Sequence, residues 1–201
     1  MTSIDNLASL FSKFPGIGGR QAKRFVYFLL TRDKDFLEDL VKEISELKSH
    51  VKTCPECMRY YNGGGALCAI CANPNRKKDP LVIVEKDVDA DNIEKGGVFD
   101  GSYFILGGSV PILEKEPEKK VHIIALSKLI KKLSKDLKEV IIATNLTPEG
   151  ENTAEYIKNY LEDLQKKIGF KFSFLGRGLS TGTEIEYSDK DTLKEAFKNR
   201  H

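Results

Sequence analysis

Four cysteines with regular spacing are the residues of this sequence best suited to chemistry. Cys54 and Cys57 form one C-x-x-C pair, and Cys68 and Cys71 form a second pair after ten intervening residues. Thiolates at this spacing can occupy adjacent corners of a tetrahedron around Zn²⁺, and a second pair completes the site. Since four protein ligands leave no open coordination position, the pattern predicts a structural zinc ion. The alternatives are two disulfides, which fit a cytosolic chain poorly, and a redox motif, which explains only one pair.

A glycine-containing turn, F-P-G-I-G at residues 14–18, is the second candidate site. Gly16 and Gly18 allow a sharp reversal that exposes consecutive amide N–H groups at the start of the next helix, where the helix dipole favours negative charge. Three basic residues follow directly in the sequence: Arg20, Lys23 and Arg24. The pattern predicts contact with the phosphate backbone of DNA without reading of the bases. The alternative is an ordinary glycine turn between two helices with a solvated basic face.

Acidic residues follow two of the predicted strands. Glu85 ends the strand L-V-I-V-E, and Glu149 and Glu151 stand where a later strand, ending in A-T-N, gives way to a helix. Sites form at the ends of parallel strands in open α/β sheets, so these three carboxylates are candidates for weak metal binding or, as the resemblance described below suggests, for partner binding. The alternative for Glu149 and Glu151 is that they only stabilise the first turn of a helix through its dipole.

The elements that position these residues follow from apolar periodicity. Helices are predicted at about 3–13, 21–30 and 34–49. The third helix should bury one stripe, formed by Leu37, Leu40, Val41, Ile44 and Leu47.

Beyond residue 80 the pattern changes to alternating strands and helices. Strands are predicted at 81–84, 103–106, 140–143 and 170–174, with helices at about 88–95, 122–134 and 150–167 between them. This alternation is typical of an α/β fold with a mainly parallel sheet covered on both faces. The segment from Glu184 to Arg200 is predicted to form a short strand and then a helix.

Composition is that of an ordinary globular protein, with 201 residues, 40% hydrophobic and 31% charged. No apolar run approaches the roughly 18 residues of a membrane span, and no secretory signal is visible, so we expect a cytoplasmic protein without membrane contact. Residues 1–78 hold 13 Lys and Arg against 8 Asp and Glu, whereas residues 79–201 hold 19 against 22. The asymmetry favours an anion-binding first part, although a mixed surface can also produce it.

Several of these segments resemble known families. The P-G-I-G turn with its basic residues resembles the helix-hairpin-helix motif, and the strand ends at Glu85 and Asn145 resemble the Toprim domain of topoisomerases, primases and some nucleases. The motifs C-A-I-C-A-N-P and A-T-N…E-N-T-A, in the order hairpin, four cysteines, Toprim, are similar to the bacterial RecR family. The resemblance divides the chain into a helix-hairpin-helix region, a C4 zinc finger with linker, a Toprim domain and a C-terminal segment expected in oligomer assembly: 1–53, 54–78, 79–175 and 176–201.

Membership of this family would imply a recombination mediator that assembles as a ring-like homotetramer around single- or double-stranded DNA. It would act with RecO and RecF to load RecA. The resemblance assigns DNA contact to Arg20 and Arg24, and Lys23 is added from its position alone. The loop after Gly107 and Gly108 departs from the family pattern, because it reads S-V-P-I-L-E-K where a Ser-Pro-Leu-Asp-Gly run is usual.

The same comparison argues against catalysis. Catalytic Toprim domains hold Mg²⁺ with a glutamate and an Asp-x-Asp pair, and here Asn145 and Thr147 stand at the aspartate positions. An amide and a hydroxyl do not supply the negative charge that Mg²⁺ requires, so we expect no enzyme activity. The alternatives are a Toprim nuclease or primase with an altered metal site, and a protein-interaction adaptor whose basic end does not bind DNA.

Overall fold

A computed structural model describes residues 2–200 of the chain. The chain divides into two compact units, the first ending at Val51 and the second beginning at Lys52. Met1 and His201, the outermost residues of the predicted segments 1–53 and 176–201, lie outside the described residues.

The first unit consists of three helices: α1 (Ser3–Phe11), α2 (Gly19–Leu30) and α3 (Lys34–His50). Helix α1 begins with a capping box, in which Thr2 Oγ1 accepts from the Asp5 amide and the Asp5 carboxylate accepts from the Thr2 amide. Helices α1 and α2 pack together around a small core of Ala8, Ala22 and Val26. This packing brings the turn at residues 14–18 to one end of the helix pair.

Helix α3 corrects one sequence prediction. The helix forms as expected, with Asp33 capping its first turn by accepting from the Phe36 amide at 2.8 Å. Its predicted buried stripe, however, is not buried. Val41, Ile44 and Leu47 are between 60% and 66% exposed, and Leu37 and Leu40 are only half-buried. Helical periodicity identifies an apolar face, but it does not supply the element that covers it, and the other helices of the first unit leave this face exposed.

A small ribbon begins at the boundary between the two units, and one sheet follows it in the second unit. The ribbon pairs β1 (Val51–Thr53) with β2 (Tyr60–Asn62), and a single helical turn, α4 (Ala69–Ala72), follows. The sheet contains β3 (Leu81–Val84), β4 (Ser102–Ile105), β5 (Glu139–Ala143) and β6 (Lys171–Phe174). The connecting helices are α5 (Asp87–Gly96), α6 (Ile123–Leu133) and α7 (Pro148–Ile168).

The four-stranded sheet is parallel throughout, in the order β4-β3-β5-β6. All four residues of β3 are buried, because helices cover both faces of the central strand. One face packs with α6 and α7, and the other packs with α5. The predicted α/β fold with a parallel sheet is therefore confirmed. Val84 pairs with Ile105 and Ala143, so Glu85 and Asn145 both follow the carboxyl ends of neighbouring strands, β3 and β5.

The C-terminal segment differs from prediction in one element. Residues Ile185–Tyr187 form a turn of 3₁₀ helix instead of the short strand expected after Glu184. A strand needs a neighbour for its backbone groups, and in the described chain β6 is the last strand of the sheet. The predicted helix is present as α8 (Lys190–Lys198), capped by the Asp189 carboxylate, which accepts from two amides at 2.9 Å.

No membrane-spanning helix is found along the described chain. None of the helices within residues 2–200 is both long enough and apolar enough to cross a bilayer.

Candidate metal centre and nucleic-acid interface

The four cysteines converge as the sequence predicts. Their Sγ atoms all lie within 4.8 Å of one another, and Cys57 Sγ lies 3.6 Å from Cys68 Sγ. Sulfurs bound at about 2.3 Å to a tetrahedral ion lie about 3.8 Å apart, so the cluster has the size that a metal requires. All four thiols are free, which excludes the two disulfides considered above. The donor set can bind a metal ion and is consistent with structural zinc.

Backbone hydrogen bonds within each C-x-x-C segment form a turn that brings its two cysteine side chains close together. The Met58 amide donates to the Cys54 carbonyl at 2.9 Å, and the Cys54 amide donates to the Arg59 carbonyl at 2.8 Å. Met58 has a positive φ of 63°, which closes this turn. In the second pair, Cys68 precedes α4 and accepts from the Ala72 amide at 2.9 Å. We call residues 54–71 the cysteine knuckle.

The thiols of the cysteine knuckle perturb one another. The Cys71 thiol donates to Cys57, which lowers the pKa of Cys57 to about 6 and raises the pKa of Cys71. Burial raises the pKa of Cys68 to about 11. Without a cation the cluster therefore favours a thiolate at Cys57 and keeps Cys68 and Cys71 protonated. A bound metal would reverse this balance, because it binds thiolates and releases their protons.

The cysteine knuckle is attached to the open edge of the sheet. The Ile105 amide on edge strand β4 donates to the Cys57 carbonyl at 2.8 Å. The Met58 side chain packs against the cores on both faces of the sheet. Arg59 forms an ion pair with Asp91 of α5. The knuckle thus covers a strand edge that would otherwise expose unpaired backbone groups.

A further ion pair in this region was not predicted. The Arg76 guanidinium donates to both oxygens of Glu94, at 2.6 and 2.9 Å, and also to the carbonyls of Gly101 and Phe99. It holds the pKa of Glu94 below its ordinary value. Arg76 stands in a polar stretch of N-P-N-R-K-K, and no sequence signal distinguishes it from its neighbouring lysines.

The turn at residues 14–18 leaves backbone amide groups at the start of α2 without intrachain acceptors. Gly16 adopts a φ of +75°, and the Ile17 amide donates to the Phe14 carbonyl at 3.1 Å. Gly18 caps α2 without a side-chain bond, and the first helical bond is made by Ala22. The amides of residues 19–21 therefore remain available to an anion. Space is open where side chains of Gly16 and Gly18 would stand, so a ligand can approach closely.

The predicted basic residues stand beside these amides on the exposed side of α2. Arg20 has no ion-pair partner in the described chain, and Lys23 Nζ lies a loose 4.0 Å from Asp5 Oδ1. Arg24 donates to the neutral Gln21 side chain at 3.4 Å. We call residues 14–21 with these three side chains the hairpin. Its geometry supplies amide donors and largely uncompensated positive charge, which is the chemistry that binds phosphate.

Glu85 is buried, with 2% of its surface exposed. It accepts from the Asn145 backbone amide at 2.9 Å and from Asn145 Nδ2 at 2.6 Å. Gly150 completes this arrangement, because a Cβ there would overlap the Asn145 carbonyl and lie 3.1 Å from Glu85 Oε1. Both carboxylate oxygens are thus satisfied by Asn145.

The structure separates the other two predicted carboxylates from this pair. Glu149 and Glu151 are exposed in the first turn of α7, and Glu151 lies 3.3 Å from Arg177. Thr147 caps the same helix by accepting from the Gly150 amide at 3.1 Å. Within residues 2–200, the cysteines are the one group of three or more His, Cys, Asp and Glu side chains close enough to share a metal.

The loop that departs from the family pattern is tied to α7 by two residues that sequence reasoning missed. Thr153 Oγ1 accepts from the Val110 amide at 2.7 Å, and Asn152 Nδ2 donates to the Val110 carbonyl at 2.9 Å. Beyond this clamp, Ile112 and Leu113 are exposed. The E-N-T-A motif quoted above contains both clamp residues, but the spacing does not reveal which loop they hold.

Comparison with known proteins defines the class. Residues 80–175 match the Toprim domain, so the sheet and its helices form a domain of this class. Recombination protein RecR of Clostridium perfringens is 35% identical over 199 residues, with 98% of this chain and 96% of that protein covered. The RecR proteins of Lactobacillus acidophilus (98% and 96% covered) and Acidithiobacillus ferrooxidans (98% and 95%) are 34% and 36% identical over 197 and 198 residues. The chain therefore belongs to the RecR family of recombination proteins, as the sequence predicted. This family membership supports a role in DNA recombination and repair.

Proposed function

We propose that this protein is a non-enzymatic, DNA-binding mediator of recombinational repair in the cytoplasm, which acts with RecF and RecO to promote RecA loading. The observation that carries the proposal is the hairpin. Free amides at the start of α2 lie beside exposed arginines that lack acidic partners. Membership of the RecR family supports the recombination context, and the hairpin provides the chemistry of contact.

Contact through the hairpin is expected to be independent of base sequence. Arg20, Lys23 and Arg24 can neutralise phosphates, and the amides of residues 19–21 can donate to phosphate oxygens. None of these groups requires a particular base, so single- and double-stranded DNA are both suitable ligands. Binding should weaken steeply as salt rises, because each neutralised phosphate releases condensed counterions.

Assembly into a homotetramer is the second part of the proposal. The exposed apolar stripe on α3, with Val41, Ile44 and Leu47, supports burial against another protein surface. Several hairpins in one ring would raise the effective concentration of phosphate contacts without any new contact chemistry. The C-terminal segment 176–201 is proposed to take part in the same assembly.

The proposed metal is a structural zinc ion held by Cys54, Cys57, Cys68 and Cys71. The free thiols and the size of the cluster support this assignment. When bound, zinc would supply fixed tetrahedral crosslinks to a segment too small to form a core. The four cysteines hold the two halves of the cysteine knuckle together and set the position of its carbonyl at the edge of the sheet.

The absence of catalysis is proposed from the Glu85–Asn145 pair. An active Toprim site needs several anionic oxygens around Mg²⁺, and here the buried glutamate is already satisfied by amide donors. Glu149 and Glu151 lie away from Glu85 and are exposed in the first turn of α7. Their exposure supports a role of this acidic turn in binding RecO. A magnesium-dependent cleavage and primer-synthesis assay tests this point, and activity that disappears in Glu85→Gln would favour the nuclease or primase alternative.

DNA binding across a salt series tests the central claim. Replacing Arg20 and Arg24 with alanine should reduce the slope of log K against log salt by about 1.4 to 1.8 for each hairpin engaged. The matched control is Lys42→Ala with Lys48→Ala, which removes the same charge from exposed positions on α3. The proposal fails if the wild-type protein ignores DNA at low salt, or if the control pair reduces the slope as much as the hairpin pair.

A further inference from the structure

Helix α6 carries a second basic surface, separate from the hairpin. Lys128, Lys131 and Lys135 are exposed, and none has a carboxylate within 4.0 Å in the described chain. Their spacing of three and four residues places them on one side of the helical path. That path continues beyond α6, because the amides of Asp136 and Leu137 both donate to the Leu133 carbonyl. We call these three residues the lysine face.

The composition of α6 sets it apart from an ordinary solvated helix. Some exposed lysines elsewhere pair with an acid on their own helix, as Lys34 does with Glu38 and Lys166 with Glu162. Among the helices of nine or more residues in the described chain, only α2 and α6 contain basic residues and no acidic ones. Asp136 lies on the turn that continues α6, and it forms no ion pair with the three lysines. Neighbouring like charges on a helix repel by a few tenths of a kcal/mol per pair, so the pattern is unfavourable unless an anion compensates it.

The opposite side of α6 is buried in the hydrophobic core. Ile123, Leu126 and Ile130 are completely buried in the core under the sheet. The lysine face therefore points away from this core. Lys132, which stands beside it, is already engaged by Glu56 of the cysteine knuckle. The remaining three lysines are left free for an external ligand.

We propose that the lysine face is a second binding surface for the DNA phosphate backbone, on the Toprim unit. This inference rests on the proposed function, because it extends the same DNA contact to a new site. Residues 128 to 135 span about 10 Å along a helix, and one DNA strand carries a charge about every 3.4 Å, so three lysines match about three phosphates. The surface has no aromatic side chain among its residues, so it grips the backbone without stacking on bases.

The test compares salt slopes for a thymidine oligonucleotide. The variant Lys128→Gln, Lys131→Gln, Lys135→Gln should lower the slope by about 2, since each phosphate contact to a single strand contributes about 0.7. The control variant Lys158→Gln, Lys166→Gln, Lys167→Gln removes the same charge from exposed positions on α7, outside both the hairpin and the segment proposed for assembly. Combining the α6 variant with the hairpin pair should add the two reductions, because the sites share no residue. Circular dichroism and solution mass verify that each variant keeps its fold and assembly.

The outcomes separate this inference from the proposed function. Wild-type protein that does not bind the oligonucleotide overturns both. Binding that the hairpin pair weakens and the α6 variant leaves unchanged overturns the lysine face alone. An equal reduction by the α7 control would show a net-charge effect, and it would also overturn the inference. If the α6 variant loses a binding to poly-L-glutamate that the wild type has, while its salt slope for DNA is unchanged, the lysine face binds an acidic protein and the inference is overturned.

Discussion

The buried pair of Glu85 and Asn145 can be converted to two carboxylates by one substitution. Asn145→Asp would place a second acidic oxygen 2.6 Å from Glu85 Oε2, with the first carboxylate only 2% exposed. Two unit charges at that separation repel by about 6 kcal/mol at an effective dielectric constant of about 20. Protonating one of the two carboxylates at pH 7 costs less free energy than leaving both charged. Because a carboxyl group in the unfolded chain has a pKa of about 4, holding a proton on it at pH 7 costs about 4 kcal/mol.

We therefore expect Asn145→Asp to lower the free energy of unfolding by about 3 to 4 kcal/mol at pH 7 in EDTA. The folded pKa of the pair is raised, so the penalty is present at neutral pH and disappears as pH falls toward about 4, where both states carry the proton. Mg²⁺ should restore stability to the variant, because two carboxylates provide the anionic oxygens that it binds. Urea denaturation at pH 7 and pH 5, with EDTA or Mg²⁺, measures all three effects.

The double variant Glu85→Gln, Asn145→Asp is the matched control. It exchanges donor and acceptor, so that the side-chain amide introduced at position 85 can donate to the new carboxylate while its oxygen still accepts from the backbone. We expect stability near that of the wild type and no response to Mg²⁺. The reasoning is refuted if Asn145→Asp alone is as stable as the wild type at pH 7 in EDTA, or if Mg²⁺ stabilises both variants equally.

Three further predictions concern other parts of the chain. Metal analysis of purified protein should find about one zinc per chain. The variant Cys68→Ser should lose both the zinc and the cooperative unfolding of the second unit. A folded, zinc-free protein with reduced cysteines would contradict this prediction. Arg76→Ala should cost about 2 kcal/mol in urea unfolding and Arg76→Lys somewhat less, because lysine cannot reproduce the forked contact with Glu94, whose side chain is partly exposed. The Arg76–Glu94 contribution should fade as pH drops through the lowered pKa of Glu94, so equal losses at acidic and neutral pH would argue against the pair. Glu149→Lys should weaken binding to RecO in a direct titration, whereas unchanged binding would leave Glu149 as a helix-dipole residue only.

Patterns with a short repeat were predictable from the sequence. The four parallel strands were located within one residue at every end, because each is a short run rich in β-branched or aromatic residues between helical segments. The cysteine cluster was predictable because ligand spacing alone constrains a tetrahedral site. These features depend on local geometry, which a single sequence contains.

Features that depend on a distant partner could not be predicted in this way. The stripe on α3 has helical periodicity, but its exposure depends on whether another surface covers it. The segment Ile185–Tyr187 has the composition of a strand, yet it lacks a neighbouring strand. The pairing of Glu85 with Asn145 joins residues 60 positions apart, and only the parallel register of β3 and β5 brings them together.

The cysteine knuckle illustrates how a local motif becomes part of a larger fold. Strand β4 is the edge of the sheet, and its Ile105 amide finds its acceptor on Cys57, one of the four thiol-bearing residues. Met58, in its left-handed conformation, follows Cys57 directly and packs against both cores. A change in the cysteine cluster is therefore transmitted to the sheet edge and to the packing on both of its faces. The cysteine knuckle is better understood as a support for the Toprim sheet than as an independent module, because its backbone accepts a hydrogen bond from the edge strand of that sheet.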